Sequence, residues 1–124
     1  MARAIGRVAI VGLGLIGSSV ARAIKAKLPD VVVTGHDAEP DVRAEARALG
    51  FCDTVSDDAA EAVEGADLVI LAVPVGRMAD AAAAIAPGLS AHAIISDVGS
   101  SKAGVGAALR AALPDHVVVP AHPV

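Results

Sequence analysis

A doubly wound α/β fold around a parallel sheet follows from three features of this 124-residue sequence. Short Val/Ile-rich runs alternate with longer segments of helical period, the pattern of βαβ units. Most of those runs are apolar throughout, as strands covered by helices on both faces must be. A glycine-rich turn, Gly12-Leu13-Gly14-Leu15-Ile16-Gly17, directly follows the first run.

Strands are predicted at 7–11, 31–35, 53–55, 67–73, 93–97 and 116–120. The first helix is expected over 14–27, with Val20, Ala23, Ile24 and Leu28 on its apolar stripe and Arg22 and Lys25 outside it. A second covers 41–49, with Pro40 at its entrance and Gly50 past its end. Asp58 with Glu61 three residues on reads as a capping box for a short helix to Val63. A fourth helix spans 77–86 and stops at Pro87-Gly88. The last, 101–113, carries Val105, Ala108, Leu109, Ala112 and Leu113 at i, i+3, i+4, i+7 and i+8, and Pro114 ends it. Right-handed crossovers give the strand order 3-2-1-4-5-6 in one domain filling residues 1–124. The ligand crevice of that order lies beyond the carboxyl ends of strands 1 and 4, so chemistry is expected near Gly12, Val73, Asp97 and Ala121.

Composition narrows the partners. The net charge is −4 and the ten basic residues are scattered, which argues against nucleic acid, whose phosphates need clustered Lys and Arg. Phe51 is the only aromatic residue, so the core must be aliphatic. Cys52 is the only cysteine, which excludes an internal disulfide and a cysteine-rich zinc site; no metal is expected, and a reducing cytoplasm fits. The mean hydropathy of +0.64 raises the question of a membrane. Arg3 and Arg7 ahead of the run Val8 to Gly17 resemble a signal peptide, but three glycines interrupt that run and three basic residues follow it closely. No segment reaches the roughly 18 uninterrupted apolar residues of a spanning helix. The expectation is a soluble protein.

The turn at residues 12–17 matches G-x-G-x-x-G between a strand and a helix, and Asp37 follows Gly17 by 20 residues, at the end of the second strand. Each part has a mechanical role. Gly12 permits the tight turn, Gly14 lets the backbone approach a pyrophosphate, and Gly17 allows close helix–strand packing. The opening of the helix at Leu15 and Ile16 offers free N–H groups to phosphates. This is the fingerprint of a Rossmann-type dinucleotide site. Asp37 selects the cofactor. Its carboxylate accepts hydrogen bonds from the adenosine ribose of NAD, whereas NADP places a phosphate there. At about 4 Å and an effective dielectric near 20, each opposed charge pair costs on the order of 4 kcal/mol. Neither Ala38 nor Glu39 supplies a cation, and only Arg43, one turn into the next helix, is near in sequence. NAD is therefore the expected cofactor.

Three later segments carry more. Asp67-Leu68-Val69-Ile70-Leu71-Ala72-Val73-Pro74 is a buried strand running into a proline-fixed loop. Asp97-Val98-Gly99-Ser100-Ser101-Lys102 joins a strand end to a helix start, and Val119-Pro120-Ala121-His122-Pro123 follows the last strand. Together with the glycine turn these resemble, over all 124 residues, the prephenate/arogenate (cyclohexadienyl) dehydrogenase family. The resemblance implies NAD-dependent oxidative decarboxylation of prephenate or arogenate in tyrosine biosynthesis, with this chain as the cofactor-binding part. It implies that His122 is the catalytic base and Ser100 an active-site serine that orients it, with Val73 and Pro74 beside the cofactor. Lys102 matches in position but reads as a solvated first-turn lysine, and His36, His92 and His116 as surface or loop residues. The family pattern goes on to a helical domain for substrate binding and homodimerisation, absent from these 124 residues. Alone, the chain is expected to bind NAD and to turn over substrate poorly. Two alternatives are another dehydrogenase of the superfamily, acting on an imine or β-hydroxyacid, and a non-enzymatic NAD-sensing module. The latter has no use for a histidine after the sixth strand.

Overall fold

The computed structural model describes residues 5–98 and 109–120. In chain order these form β1 (Arg7–Val11), α1 (Leu15–Lys27), β2 (Val32–His36), α2 (Pro40–Leu49), β3 (Thr54–Val55), α3 (Ala59–Val63), β4 (Leu68–Leu71), α4 (Met78–Ile85), β5 (Ile94–Asp97) and β6 (Val117–Pro120). Residues 109–112 are also helical; the rest of the predicted last helix lies outside the described residues. Among the described residues the sheet has six strands, all parallel, in the order β3-β2-β1-β4-β5-β6 that right-handed crossovers predict.

The register aligns the carboxyl ends. Val11 lies beside His36 and Leu71, Leu71 beside Asp97, and Asp97 beside Pro120. Helices on both faces divide the core in two. Val8, Ile10 and Val33 pack with Ala21, Ala46 and Phe51 on one side. Ala9, Val11, Val69, Leu71 and Ile95 pack with Val63, Ala82, Ile85 and Leu109 on the other. Continuous burial along β1 and β4 is the physical source of their unbroken apolar sequence.

Several boundaries and faces differ from the sequence reading. β2 starts one residue late and takes in His36. β4 is four residues, because Asp67 stands outside it as a brace. Asp67 Oδ2 accepts from Gly6 N at 2.8 Å and Arg7 N at 3.0 Å, and Oδ1 lies 2.8 Å from His92 Nε2, tying the amino edge together. The buried side of α1 is Gly17 and Ala21 flanked by Val20 and Ile24, whereas Ala23 and Leu28 are exposed. The helix sits closer to the sheet than leucine-sized side chains allow. Lys25 is not a free surface lysine: Nζ donates to Val31 O and to Asp53 Oδ2. Half of the expected capping box forms. Asp58 Oδ2 accepts from Glu61 N at 3.0 Å, but Asp58 N donates to Ser56 Oγ at 3.2 Å instead of the Glu61 carboxylate.

Cys52 fills the space under Gly35, where an added Cβ would lie 2.8 Å from its Sγ. Burial, then the Asp53 charge, pushes its thiol up to about 11, so it packs as an apolar group and forms little thiolate. Asp53 shifts the other way. The Val33 amide at 2.7 Å and Lys25 Nζ at 2.9 Å both hold its carboxyl below the usual carboxylate range. Because the folded value is the lower one, this stability is present above the unfolded carboxylate value, near 4, and is lost as pH falls through the folded value.

Two measurements check this account. Asp53→Asn is expected to cost about 1 kcal/mol at pH 7, the modest figure reflecting a side chain 39% exposed to screening solvent. Urea titrations should separate the two proteins at pH 7 and bring them together as pH falls through the folded value of Asp53. Gly17→Ala is expected to be far worse, because an added Cβ would lie 1.7 Å from the Gly12 carbonyl oxygen. A loss of about 3 kcal/mol or more, seen as a collapse of the thermal midpoint, is the expected result.

Candidate functional site

The turn between β1 and α1 is built to bring backbone close to whatever occupies the carboxyl edge of the sheet. Gly12 has φ +101°, and a Cβ there would lie 2.7 Å from Ala72 O, so only glycine fits between β1 and β4. Its N–H donates to His36 O at 2.8 Å, continuing the β1–β2 ladder past the strand end. Gly14 is the N-cap of α1, and the first bond of the helix runs from Ser18 N to Gly14 O. The amides before Ser18 therefore have no acceptor within the helix. No acidic residue stands in the first turn to repel an anion. Ser18 and Ser19 turn their hydroxyls back onto Leu15 O, at 3.1 and 2.7 Å.

Asp37 does more than end a strand. Oδ2 accepts from Leu13 N at 2.8 Å and Oδ1 from Glu39 N at 2.9 Å. The carboxylate thus fastens the glycine turn to β2. A carboxylate has about four lone-pair sites, and these bonds use two. Arg43 supports the loop from below: Nη1 donates to Asp37 O at 2.8 Å and Ala38 O at 3.3 Å, and Nε to Asp57 at 3.0 Å. Arg47 joins the same carboxylate at 2.8 Å. Arg47, then Arg43, holds the Asp57 carboxyl below its ordinary range.

These elements enclose a cavity of about 800 Å³. Gly12, Gly14, Leu15 and Ile16 of the glycine turn line it, together with Asp37, Ala38 and Glu39 from the loop after β2. Val73 and Pro74, from the loop after β4, line it too, with Ala59, Ala81 and Ala84. The structure therefore brings together Gly12, Gly14, Leu15, Ile16, Asp37, Val73 and Pro74. Gly17 is the exception: it is buried under the turn as packing, the role the spacing assigns it. Ser100, Lys102 and His122 lie outside the described residues. The described strands β5 and β6 end at the same carboxyl edge as β1, and the last residue of β5, Asp97, is buried.

His36 corrects the sequence reading. It is 7% exposed, donates from Nδ1 to Ser56 O at 3.0 Å and lines the cavity. Arg77 and Asp80 also line it, from the turn and helix after Pro74. Sequence reasoning missed all three. The available signal for His36 was its place immediately before Asp37, which sends its side chain to the opposite face of the strand. His92 and His116 are in loops as expected, on Asp67 and Ser90 O respectively.

A Cβ on Gly14 would meet nothing within 4 Å, unlike one on Gly12 or Gly17. Open space above a backbone with unfilled amides fits a bound phosphate group. Among the described residues no group of His, Cys, Asp and Glu could hold a metal ion, and no helix is long and apolar enough to cross a membrane.

Comparison with known proteins agrees with this geometry. The profile of the family described as "Prephenate dehydrogenase, nucleotide-binding domain" matches residues 20–124. The cyclohexadienyl dehydrogenase of Zymomonas mobilis is 53% identical over 117 residues, 94% of this chain and 40% of the relative. The prephenate dehydrogenase of Bacillus subtilis is 36% identical over 94 residues, 75% of this chain and 25% of that protein. The chain thus spans 40% or less of the length of these two relatives. Among solved structures, prephenate dehydrogenase from A. aeolicus, in complex with hydroxyphenyl propionate and NAD+, superposes with a TM-score of 0.86 at 26% identity, covering 100% of this chain and 43% of that one. Synechocystis arogenate dehydrogenase, at 22% identity and a TM-score of 0.79 over 90% of this chain and 39% of that one, shares the fold. With a glycine turn, a bracing carboxylate and a profile match over most of its length, this chain belongs to the prephenate dehydrogenase family, as its nucleotide-binding domain.

Proposed function

We propose that this chain binds NAD and forms the cofactor half of an enzyme that oxidatively decarboxylates a cyclohexadienyl acid, prephenate or arogenate, on the route to tyrosine. The observation that carries the reading is one cavity lined both by Gly14, with open space over it, and by Asp37. Amides at the start of α1 would hold the pyrophosphate, and the unused lone pairs of Asp37 the adenosine ribose. Arg43 supports the choice of NAD over NADP. Its Nε and Nη1 are committed to Asp57 and to loop carbonyls, so the one cation near Asp37 in sequence is already engaged. The relatives' names support the substrate class, and the A. aeolicus complex supports the cofactor.

When bound, the nicotinamide supplies a hydride acceptor. The protein's task is to position the ring and manage one proton. On the family resemblance, His122 takes the proton of the ring hydroxyl as the hydride leaves the same carbon. It returns that proton to the oxygen once the carboxylate across the ring has left as CO2 and the ring is aromatic. Ser100 orients His122. A neutral imidazole suits that exchange near pH 7. The helical substrate and dimerisation domain that the resemblance implies is assigned to the remaining length of the family's chains. The substrate carboxylates and the homodimer contact belong to it.

The cofactor reading is tested by titrating NADH into this chain and following nicotinamide emission, which no Trp or Tyr obscures. Saturable binding is expected, with NADPH at least a hundredfold weaker. Gly14→Ala should keep the melting temperature and lose tenfold or more in NADH affinity. The catalytic assignment is tested in a full-length family protein carrying this domain: His122→Ala should lower kcat by roughly 10² to 10⁴. An unchanged rate would remove His122 from the mechanism.

A further inference from the structure

We infer that His36 reads the base of the dinucleotide, accepting a hydrogen bond from the exocyclic amino group of adenine and so rejecting purines that carry an oxygen there. The inference rests on the NAD reading above and assigns a specificity-determining residue within that site.

Three observations carry it. His36 is the last residue of β2 and nearly buried, yet it lines the cavity. Its Nδ1 lies 3.0 Å from Ser56 O. A carbonyl oxygen only accepts, so Nδ1 carries the proton, and the neutral ring must present Nε2 as an unprotonated acceptor. Finally, Nε2 has no hydrogen-bond partner in the structure, while no buried side-chain nitrogen or oxygen among the described residues lacks one. Nε2 is therefore not sealed in protein. The cavity is open space that His36 lines, and we assign the opening of Nε2 to it.

The order of groups along a dinucleotide says which part of the ligand meets His36. With the pyrophosphate on Gly12–Ile16 and the ribose on Asp37, the base, which follows that ribose in the dinucleotide, falls to the side of His36, the neighbour of Asp37 in the chain, among lining residues that include Ala59, Val73, Ala81 and Ala84. Those side chains offer apolar contact without discrimination. Arg77 and Asp80 are polar there too, but both are exposed. His36 alone is held in one orientation by burial and a backbone partner. Adenine presents an N–H donor at position 6 and hypoxanthine a carbonyl oxygen. An acceptor fixed opposite that position gains a bond with the first and faces a second acceptor with the other. A site built to bond a polar group rejects the analogue lacking it more strongly than an apolar pocket can.

The experiment compares NADH with its hypoxanthine analogue, reduced nicotinamide hypoxanthine dinucleotide, by nicotinamide emission at pH 8.5. The wild-type chain should bind NADH about tenfold tighter, or about 1.4 kcal/mol. His36→Phe keeps a planar ring and removes both nitrogens. It should weaken NADH about tenfold, leave the analogue unchanged and abolish the preference. His36→Gln, whose amide can turn to present either oxygen or nitrogen, should bind the two dinucleotides equally well. It also serves if the Phe variant melts below the assay temperature. Equal binding of both dinucleotides by the wild type overturns the inference and leaves the NAD reading standing. A preference that survives in a folded His36 variant overturns it as well, assigning base recognition to Asp80 or to the loop backbone. Failure of the wild type to bind either dinucleotide overturns the NAD reading and the inference together.

Discussion

The contact on which the site depends is the one between Gly17 and the carbonyl of Gly12. The first turn of α1 rests directly on the end of β1, with no side chain between them. Because that gap is closed, the helix starts at the sheet edge with its first amides facing outward rather than over the core. Gly12 is pressed in turn against Ala72, which fixes the turn relative to β4. Nothing about a ligand is needed to explain these contacts. They are packing constraints whose by-product is a ring of unfilled donors in a preformed position, which is what electrostatic recognition of an anion requires.

Carboxylates brace the two edges of the sheet in different ways. At the amino edge Asp67 gathers the amides of Gly6 and Arg7 with the ring of His92. At the carboxyl edge Asp37 ties the glycine turn to the loop after β2 and keeps lone pairs to spare. The first arrangement braces the sheet; the second braces the turn and, on the proposed reading, also serves binding. A parallel sheet separates these duties naturally, since every strand presents the same end to the same side.

What could be read in the sequence was whatever repeats along the chain. Unbroken apolar runs located β1 and β4, the glycine spacing located the turn, and Pro40 with Gly50 bounded α2 within a residue. Helix faces were less legible. Ala23 and Leu28 fit the apolar stripe of α1 by period, yet the closeness forced by Gly17 rotates burial onto Ala21. Long-range polar partners were invisible, because no local rule brings Lys25 to Asp53, Asp67 to Gly6, or His36 to Ser56. The cavity's glycine and Asp37 walls were therefore readable, and the wall formed by His36, Arg77 and Asp80 was not. Those three come from the end of β2, the turn after Pro74 and α4, segments far apart in sequence whose meeting has no sequence period.

The double duty of Asp37 bears on how cofactor choice is built into the fold. A domain that receives a ribose phosphate needs a neutral or cationic group where this carboxylate stands. Here the carboxylate also holds Leu13 N, so its removal would leave a donor of the glycine turn without its partner. Recruiting Arg43 as the cation would in turn release Asp57 and the carbonyls of Asp37 and Ala38, loosening the same loop from below. On the proposed reading, changing selectivity means rebuilding the segment that would hold the phosphates. The carboxylate proposed to select NAD is thus the one that fixes the glycine turn through Leu13 N and the loop after β2 through Glu39 N.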